Sequence, residues 1–363
     1  MSTRSDDGLV PVGVQRAAAW IWRLLLFLLA AVVLVWLLKR FNLIVVPLAV
    51  ALILSALFLP AVDALNRHKV PRGLAVTLVL LGGLGALGGL LAFVGTRMID
   101  GLPELFEQIT VSIDSLRRWL TDGPLELSER QIDSFVNSAI TALQDQQARL
   151  TSGVLSTASA TTQFVGGVFI AIFALVSFLH GGRHIYRSIT TVLPASVRDR
   201  VRDGGVAGFT ALTSFIRATF VVAFVDAVGI GVGLVILGIP LALPLASLVF
   251  LGAFIPFVGA VVTGFLAVVV AFLAKGWVFA LLTLALVLAV QQLEGNVLQP
   301  LIMGKAVRLH PLAVLVALTA GAVVAGVAGV LLAVPALAFT DRAVRALAAA
   351  QSAQTPAGAA AEP

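Results

Sequence analysis

Residues 277–311, WVFALLTLALVLAVQQLEGNVLQPLIMGKAVRLHP, decide the fold. The run through Val290 is apolar, and Gln291, Gln292, Glu294, Asn296 and Gln299 then arrive directly, ahead of Pro300 and of Lys305, Arg308 and His310. An apolar run of this kind reads as a membrane-spanning helix, so the first polar side chains sit within or at the edge of a bilayer. Polar groups there need partners, and residues of this kind often carry function.

The whole chain has the same character. Of 363 residues 60% are hydrophobic and 12% charged, and mean hydropathy is +1.06, far from the composition of a soluble domain. The fold class that follows is an all-α polytopic membrane protein with about eight transmembrane helices, some broken by Pro or Gly, carrying an extracytoplasmic amphipathic helical hairpin as an insertion. The net charge of +6 does not imply nucleic acid, because Lys and Arg gather in short loops between apolar runs, the pattern of a topology signal. Among partners, the lipid bilayer is expected and nucleic acid is not.

Eight spans are expected at about 20–38, 43–65, 73–94, 164–179, 219–237, 245–274, 277–293 and 312–339. The chain divides into a disordered N-terminus (1–15), three spans (16–96), a soluble or interfacial insertion (97–163), a fourth span with a basic loop (164–205), a C-terminal core (206–345) and a disordered tail (346–363). In the insertion, Leu102, Leu105, Phe106, Ile109, Ile113, Leu116 and Leu120 recur at helical spacing. Asp122, Gly123 and Pro124 form a turn, and Ser128 with Gln131 opens a second stripe through Ile132, Phe135, Val136, Ile140 and Leu143. Gly82, Gly83, Gly85, Gly88 and Gly89 give span three a face for close helix packing. The loops bearing Arg67, Lys69 and Arg72, and Arg183, Arg187, Arg198, Arg200 and Arg202, put both termini in the cytoplasm. Counting eight crossings then places the polar stretch at the outer end of span seven.

Asp226 falls deep inside span five, a candidate coupling-ion ligand or a buried hydrogen-bonding group. Arg217 is nine residues away and on the opposite face of that helix, so it is no simple local partner. In span six the sequence around Pro256 and Gly259 breaks the helix. Span eight is loosened by Gly321, Gly326 and Gly329. Within the polar stretch a continuing helix puts Gln292, Asn296 and Gln299 on one face and Gln291 and Glu294 on the next, with Gly295 loosening it and Pro300 ending it. Amides suit a neutral, hydroxyl-rich ligand, and Glu294 adds a proton or cation site. Lys305, His310 and Arg217 are the possible charge partners. The competing reading is a polar helix end satisfied by water, but five polar side chains exceed what a cap needs.

Enzyme chemistry finds little support. There is no cysteine, no H-E-x-x-H and no G-x-S-x-G, and His68, His180, His184 and His310 lie in loops. Gly304 and Lys305 are followed by Ala306, with Gln299 where a phosphate loop needs its first glycine. No catalytic residue, metal or cofactor is therefore expected.

The segment QQLEGNVLQPLIMGKAVRLHPLAVLVAL, followed by AGVAGVLLAVP, resembles the C-terminal signature of the autoinducer-2 exporter family of bacterial transporters. GIPLALPLASLVFLGAFIPFVGAVV is similar to its preceding motif, including Ile255, Pro256 and Gly259. The resemblance implies an eight-span, multi-pass protein of a bacterial cell membrane that moves small solutes as a secondary transporter or facilitator, assembled as a homo-oligomer with pentamers expected. It leaves the cargo open between quorum-sensing autoinducer-2 and exchange of sodium or lithium for protons. A scaffold or sensor working through the extracytoplasmic hairpin is the alternative from another class.

Overall fold

A computed structural model describes residues 12–122, 158–255, 258–303 and 310–352. These residues form helices α1 (Val12–Arg40), α2 (Asn42–Arg67), α3 (Arg72–Asp122), α4 (Ala158–Thr190), α5 (Ala195–Ile236), α6 (Ala242–Gly252), α7 (Val258–Lys275) and α8 (Trp277–Leu293). A π-helical turn (Glu294–Leu298), α9 (Gln299–Met303) and α10 (Pro311–Ser352) complete the order. No strand occurs among the described residues, and eight helices are long and apolar enough to cross a membrane. The chain is an all-α polytopic membrane protein.

Several helices outrun their expected bounds. Helix α3 is unbroken from Arg72 to Asp122, so the stripe from Leu102 to Leu120 continues span three instead of starting a separate element at residue 97. Pro103 falls inside this stretch without ending the helix, and no run of glycines follows Gly101 to stop it. Helix α5 likewise runs unbroken through the predicted start of span five. Helix α1 begins at Val12 and α10 ends at Ser352, each reaching into a terminus expected to be disordered. The second stripe of the insertion, from Ser128 to Leu143, lies outside the described residues, as do Pro256, Lys305 and Arg308.

The core is built on α5. Ile230 and Leu234 of α5 pack with Leu245 and Val249 of α6, Ala267, Val270 and Ala271 of α7, and Val287 of α8. A second cluster joins α2, α3 and α4 through Ala51, Val62, Val76, Leu175 and Leu179. At the foot of α3, Arg72 donates from Nε and Nη2 to the Leu179 carbonyl (3.2 and 2.9 Å). That carbonyl is freed by the kink of α4 at Gly181, and the guanidinium satisfies it.

The apolar run expected as span six does not cross as one helix. Helices α6 and α7 end and begin on either side of the predicted break, and the backbones of Gly252 and Gly259 touch there. At the other end, Lys275 Nζ donates to the Leu237 carbonyl at 2.9 Å and lies 4.8 Å from the centre of the Phe279 ring. The two ends of the segment therefore meet, and α6–α7 is an antiparallel hairpin. Eleven residues of α6 rise only about 16 Å, half of the hydrocarbon thickness.

Helix α10 folds in the same manner. Ala325 and Gly326 leave helical geometry, Gly326 with φ +58°, and the upstream limb returns against the downstream one with Gly321 and Gly329 in backbone contact. Only glycine reaches that φ without steric cost.

Both hairpins leave on the side they enter. Because α8 runs antiparallel to α5, with Leu286 beside Gly233 and Val290 beside Gly229, its polar end points toward the N-terminal end of α5. This is the side of Arg198 and Arg202, opposite to the outer position expected from eight full crossings.

The glycine face of α3 is also different from expectation. Only Gly83 meets a neighbour, the Phe58 ring, whereas Gly82, Gly85, Gly88 and Gly89 have nothing within 4 Å inside the protomer. The two glycine sets predict opposite responses. Gly329→Val forces a side chain into the Gly321 backbone and is expected to cost about 1–3 kcal/mol, seen as a lowered melting temperature of the detergent-solubilised monomer, whereas Gly85→Ala meets nothing within the single chain and does not lower the melting temperature of that monomer.

Candidate functional site

Asp226 is the one buried acidic side chain among the described residues, 4% exposed, with Oδ1 out of reach of any hydrogen-bond donor. It sits on the inward face of α5 with Val222, Ala223 and Ile230, all buried. Arg217 is exposed, on the far face as the helical period requires.

What faces Asp226 is Glu294. The close approach of α5 and α8 at Gly233 and Gly229 draws the first residue of the π turn alongside α5, and the two carboxyl groups come within hydrogen-bonding reach. Two ionised carboxylates are both acceptors and repel one another, and a proton or a cation between them would relieve that repulsion. Glu294 is half-buried, and its Oε1 accepts from Gln299 Nε2 at 3.3 Å.

The π turn sets that last contact. In an ordinary helix Gln299 falls on the face of Gln292, as expected from sequence, but here the amide of Gln299 bonds to the carbonyl of Glu294, five residues back. The wider turn rotates Gln299 onto the face of Glu294. The stop expected at Pro300 does not occur. The helix continues through Pro300 to Met303. Gln292 and Asn296 keep the ordinary spacing and pair with each other, Asn296 Nδ2 donating to Gln292 Oε1 at 3.1 Å.

The polar stretch is thus two linked pairs. Gln291 and Glu294 are half-buried toward α5, whereas Gln292, Asn296, Gln299 and Pro300 are exposed, as is Gly295. His310 is not brought to the site: it is exposed at the start of α10, its Nδ1 accepting from the Leu312 amide at 3.2 Å. Lys305 lies outside the described residues. No cluster of metal-ligating side chains occurs among the described residues.

Both hairpin bends reach the level of Asp226. Ala246 of α6 packs on Gly231, and six residues on, about 9 Å, Gly252 ends α6 at the height of about Val225. Phe250 stacks edge-on against Phe220 of α5 at 5.5 Å and against Phe254 at 5.6 Å, seating this end of the hairpin on α5. On the other side Phe339 of α10 packs on Gly208. Thirteen residues back, about 20 Å, the bend at Gly326 stands near the height of Val221. Gly259, Gly326 and Gly329 therefore mark the turns of two hairpins whose bends stand near the height of Asp226 along α5.

Two residues escaped the reading of the sequence. Lys275 closes the base of the first hairpin, and a lysine between two apolar runs carries no signal beyond topology. Thr283 is fully buried between α8 and the core with its Oγ1 unpartnered, and its place within an apolar run hid it.

Comparisons with known proteins place the sequence in a transporter family. The sequence pattern described as AI-2E family transporter matches residues 24–349. The chain is 55% identical over 347 residues to "Putative transport protein MT0215" of Mycobacterium tuberculosis, covering 96% of this chain and 95% of that one. It is 28% identical over 305 residues to YueF of Bacillus subtilis, which carries the same designation, covering 80% and 81%. It is 25% identical over 304 residues to the AI-2 transport protein TqsA of Escherichia coli, covering 80% and 83%.

The orphaned hydroxyl gives a direct test of the packing around the site. Thr283→Val keeps the shape and removes an unsatisfied polar group, and is expected to raise stability by about 1 kcal/mol, measured as a higher unfolding midpoint; a lower midpoint would show that the hydroxyl has a partner.

Proposed function

Since the chain belongs to the AI-2E family of transporters, we propose that it is a secondary transporter or facilitator of a small solute in which Asp226 and Glu294 bind the coupling ion. The observation that carries this reading is the facing of these two carboxyl groups at the level where both hairpins turn. A proton or a monovalent cation relieves their repulsion, and its loss restores it. A site that is stable only when loaded favours movement of the loaded and empty forms by different routes, which is the requirement for coupling.

The exposed amides of Gln292 and Asn296 continue from Glu294 along the same helix. Amides donate and accept together, so they suit a neutral polar solute, and the relative named for AI-2 transport supports a cargo of that chemistry. The same carboxyl pair supports a second reading, exchange of sodium or lithium for protons, in which the cation itself is the cargo. Gly259, Gly295, Pro300, Gly326 and Gly329, with Pro256 in the segment between α6 and α7, are proposed as the points where the path opens and closes.

In the bilayer of a bacterial cell membrane, both termini are proposed to be cytoplasmic. The first hairpin supports the charge argument, because it puts Lys275 on the sparsely charged side with Lys39 and Arg40. The unfilled glycine face of α3 and the exposed α1 support a homo-oligomer.

Flux in proteoliposomes tests the proposal, with autoinducer-like furanones, neutral polyols, sodium and lithium as cargoes, with and without a pH gradient. Glu294→Gln and Asp226→Asn are each expected to lower coupled flux by about tenfold or more, the loss of one charge-assisted contact, while membrane assembly is retained. Unchanged flux and pH dependence in both variants would remove the pair from the mechanism.

A further inference from the structure

Midway along α3, a cavity of about 400 Å³ opens between α3 and the turn that joins α5 to α6. Its walls are Phe93, Val235, Leu241, Leu243 and Pro244, and its one charged lining residue is Arg97. Leu241 holds a left-handed conformation, φ +58°, and its side chain packs against Gly101 of α3. A branched residue is costly there, and the strain is held by that contact, which closes the far wall.

Depth identifies the occupant. From Arg72 to Arg97 the helix rises about 38 Å, one hydrocarbon core plus an interface, so Arg97 stands at the level of the lipid phosphates. The apolar walls belong to the acyl region beneath it. The guanidinium carbon lies 5.9 Å from the centre of the Phe93 ring, which points the group over the mouth of the cavity. Asp100, one turn farther from the membrane centre, is exposed and not ion-paired with it. We propose that this groove binds one anionic phospholipid per protomer, the phosphate on Arg97 and an acyl chain against Val235, Leu241, Leu243 and Pro244.

The site is distinct from the carboxyl pair and lies at the base of the first hairpin, on the side of Leu237 and Lys275. The lipid would therefore pack against the turn from which that hairpin hangs.

The test uses the full chain in phosphatidylcholine vesicles containing spin-labelled phosphatidylglycerol or spin-labelled phosphatidylcholine, with the motionally restricted fraction read by electron paramagnetic resonance. The wild type is expected to show one phosphatidylglycerol-selective site per protomer. Arg97→Gln is expected to lower that selectivity about fivefold, the factor for one cation at an anionic surface, and Arg97→Lys to keep most of it. Val235→Trp fills the groove with the arginine intact and is expected to remove the selective site; it carries the test alone if Arg97→Gln does not yield folded protein. Equal selectivity in wild type and Arg97→Gln would overturn the proposal. So would a selective site that survives Val235→Trp, which would make the effect one of charge without a groove, and so would a wild type with no selective lipid, which would assign the groove to a second copy of the chain.

Discussion

Two carboxyl groups that face one another inside an apolar helix bundle cannot both be ionised without a cation between them, and the architecture around Asp226 and Glu294 is arranged about that constraint. Neither side chain has a basic residue of the described chain against it. Arg217 points away, His310 caps α10, and Lys275 is engaged by the Leu237 carbonyl. A proton or a cation held between the two groups would supply the compensation. A protein whose family moves solutes across membranes has a use for such a site, and both hairpins turn near its height along α5.

The approach of the helices depends on missing side chains. Gly233 and Gly229 let Leu286 and Val290 lie directly on α5, Gly252 and Gly259 let the first hairpin close, and Gly321 and Gly329 do the same for the second. In lipid there is no hydrophobic gain from bringing apolar helices together, so close van der Waals packing has to supply it. The π turn completes the arrangement by carrying Gln299 onto Glu294, which fixes one oxygen of the carboxylate and leaves the other free to face Asp226.

The apolar spans were readable from hydropathy alone, and so was a break around Pro256 and Gly259, whereas Gly326 was legible only as one of three glycines that loosen span eight. The return of each hairpin was not. An apolar run of thirty residues has the same hydropathy whether it crosses or folds back, and only the meeting of Leu237 with Lys275, or of Gly321 with Gly329, distinguishes the two. That ambiguity moved the polar stretch to the wrong side. Asp226 and Glu294 were each legible as a charge in an apolar setting, but their pairing spans residues far apart in sequence, and the glycines at 229 and 233 on the same face of α5 were the available hint. The π turn was hidden because a proline after a polar helix reads first as a stop.

The central claim is that these two side chains face one another, and the absence of cysteine from the chain permits a clean test. Asp226→Cys combined with Glu294→Cys, treated in the membrane with a short bifunctional thiol reagent, should form an intramolecular cross-link, since the reagent spans the gap that the longer carboxyl side chains bridge; each single variant serves as control. A cross-link seen by mass spectrometry in the double variant alone is the predicted result. Its absence, with a Gly233→Cys and Leu286→Cys pair cross-linking under the same conditions, would contradict the account.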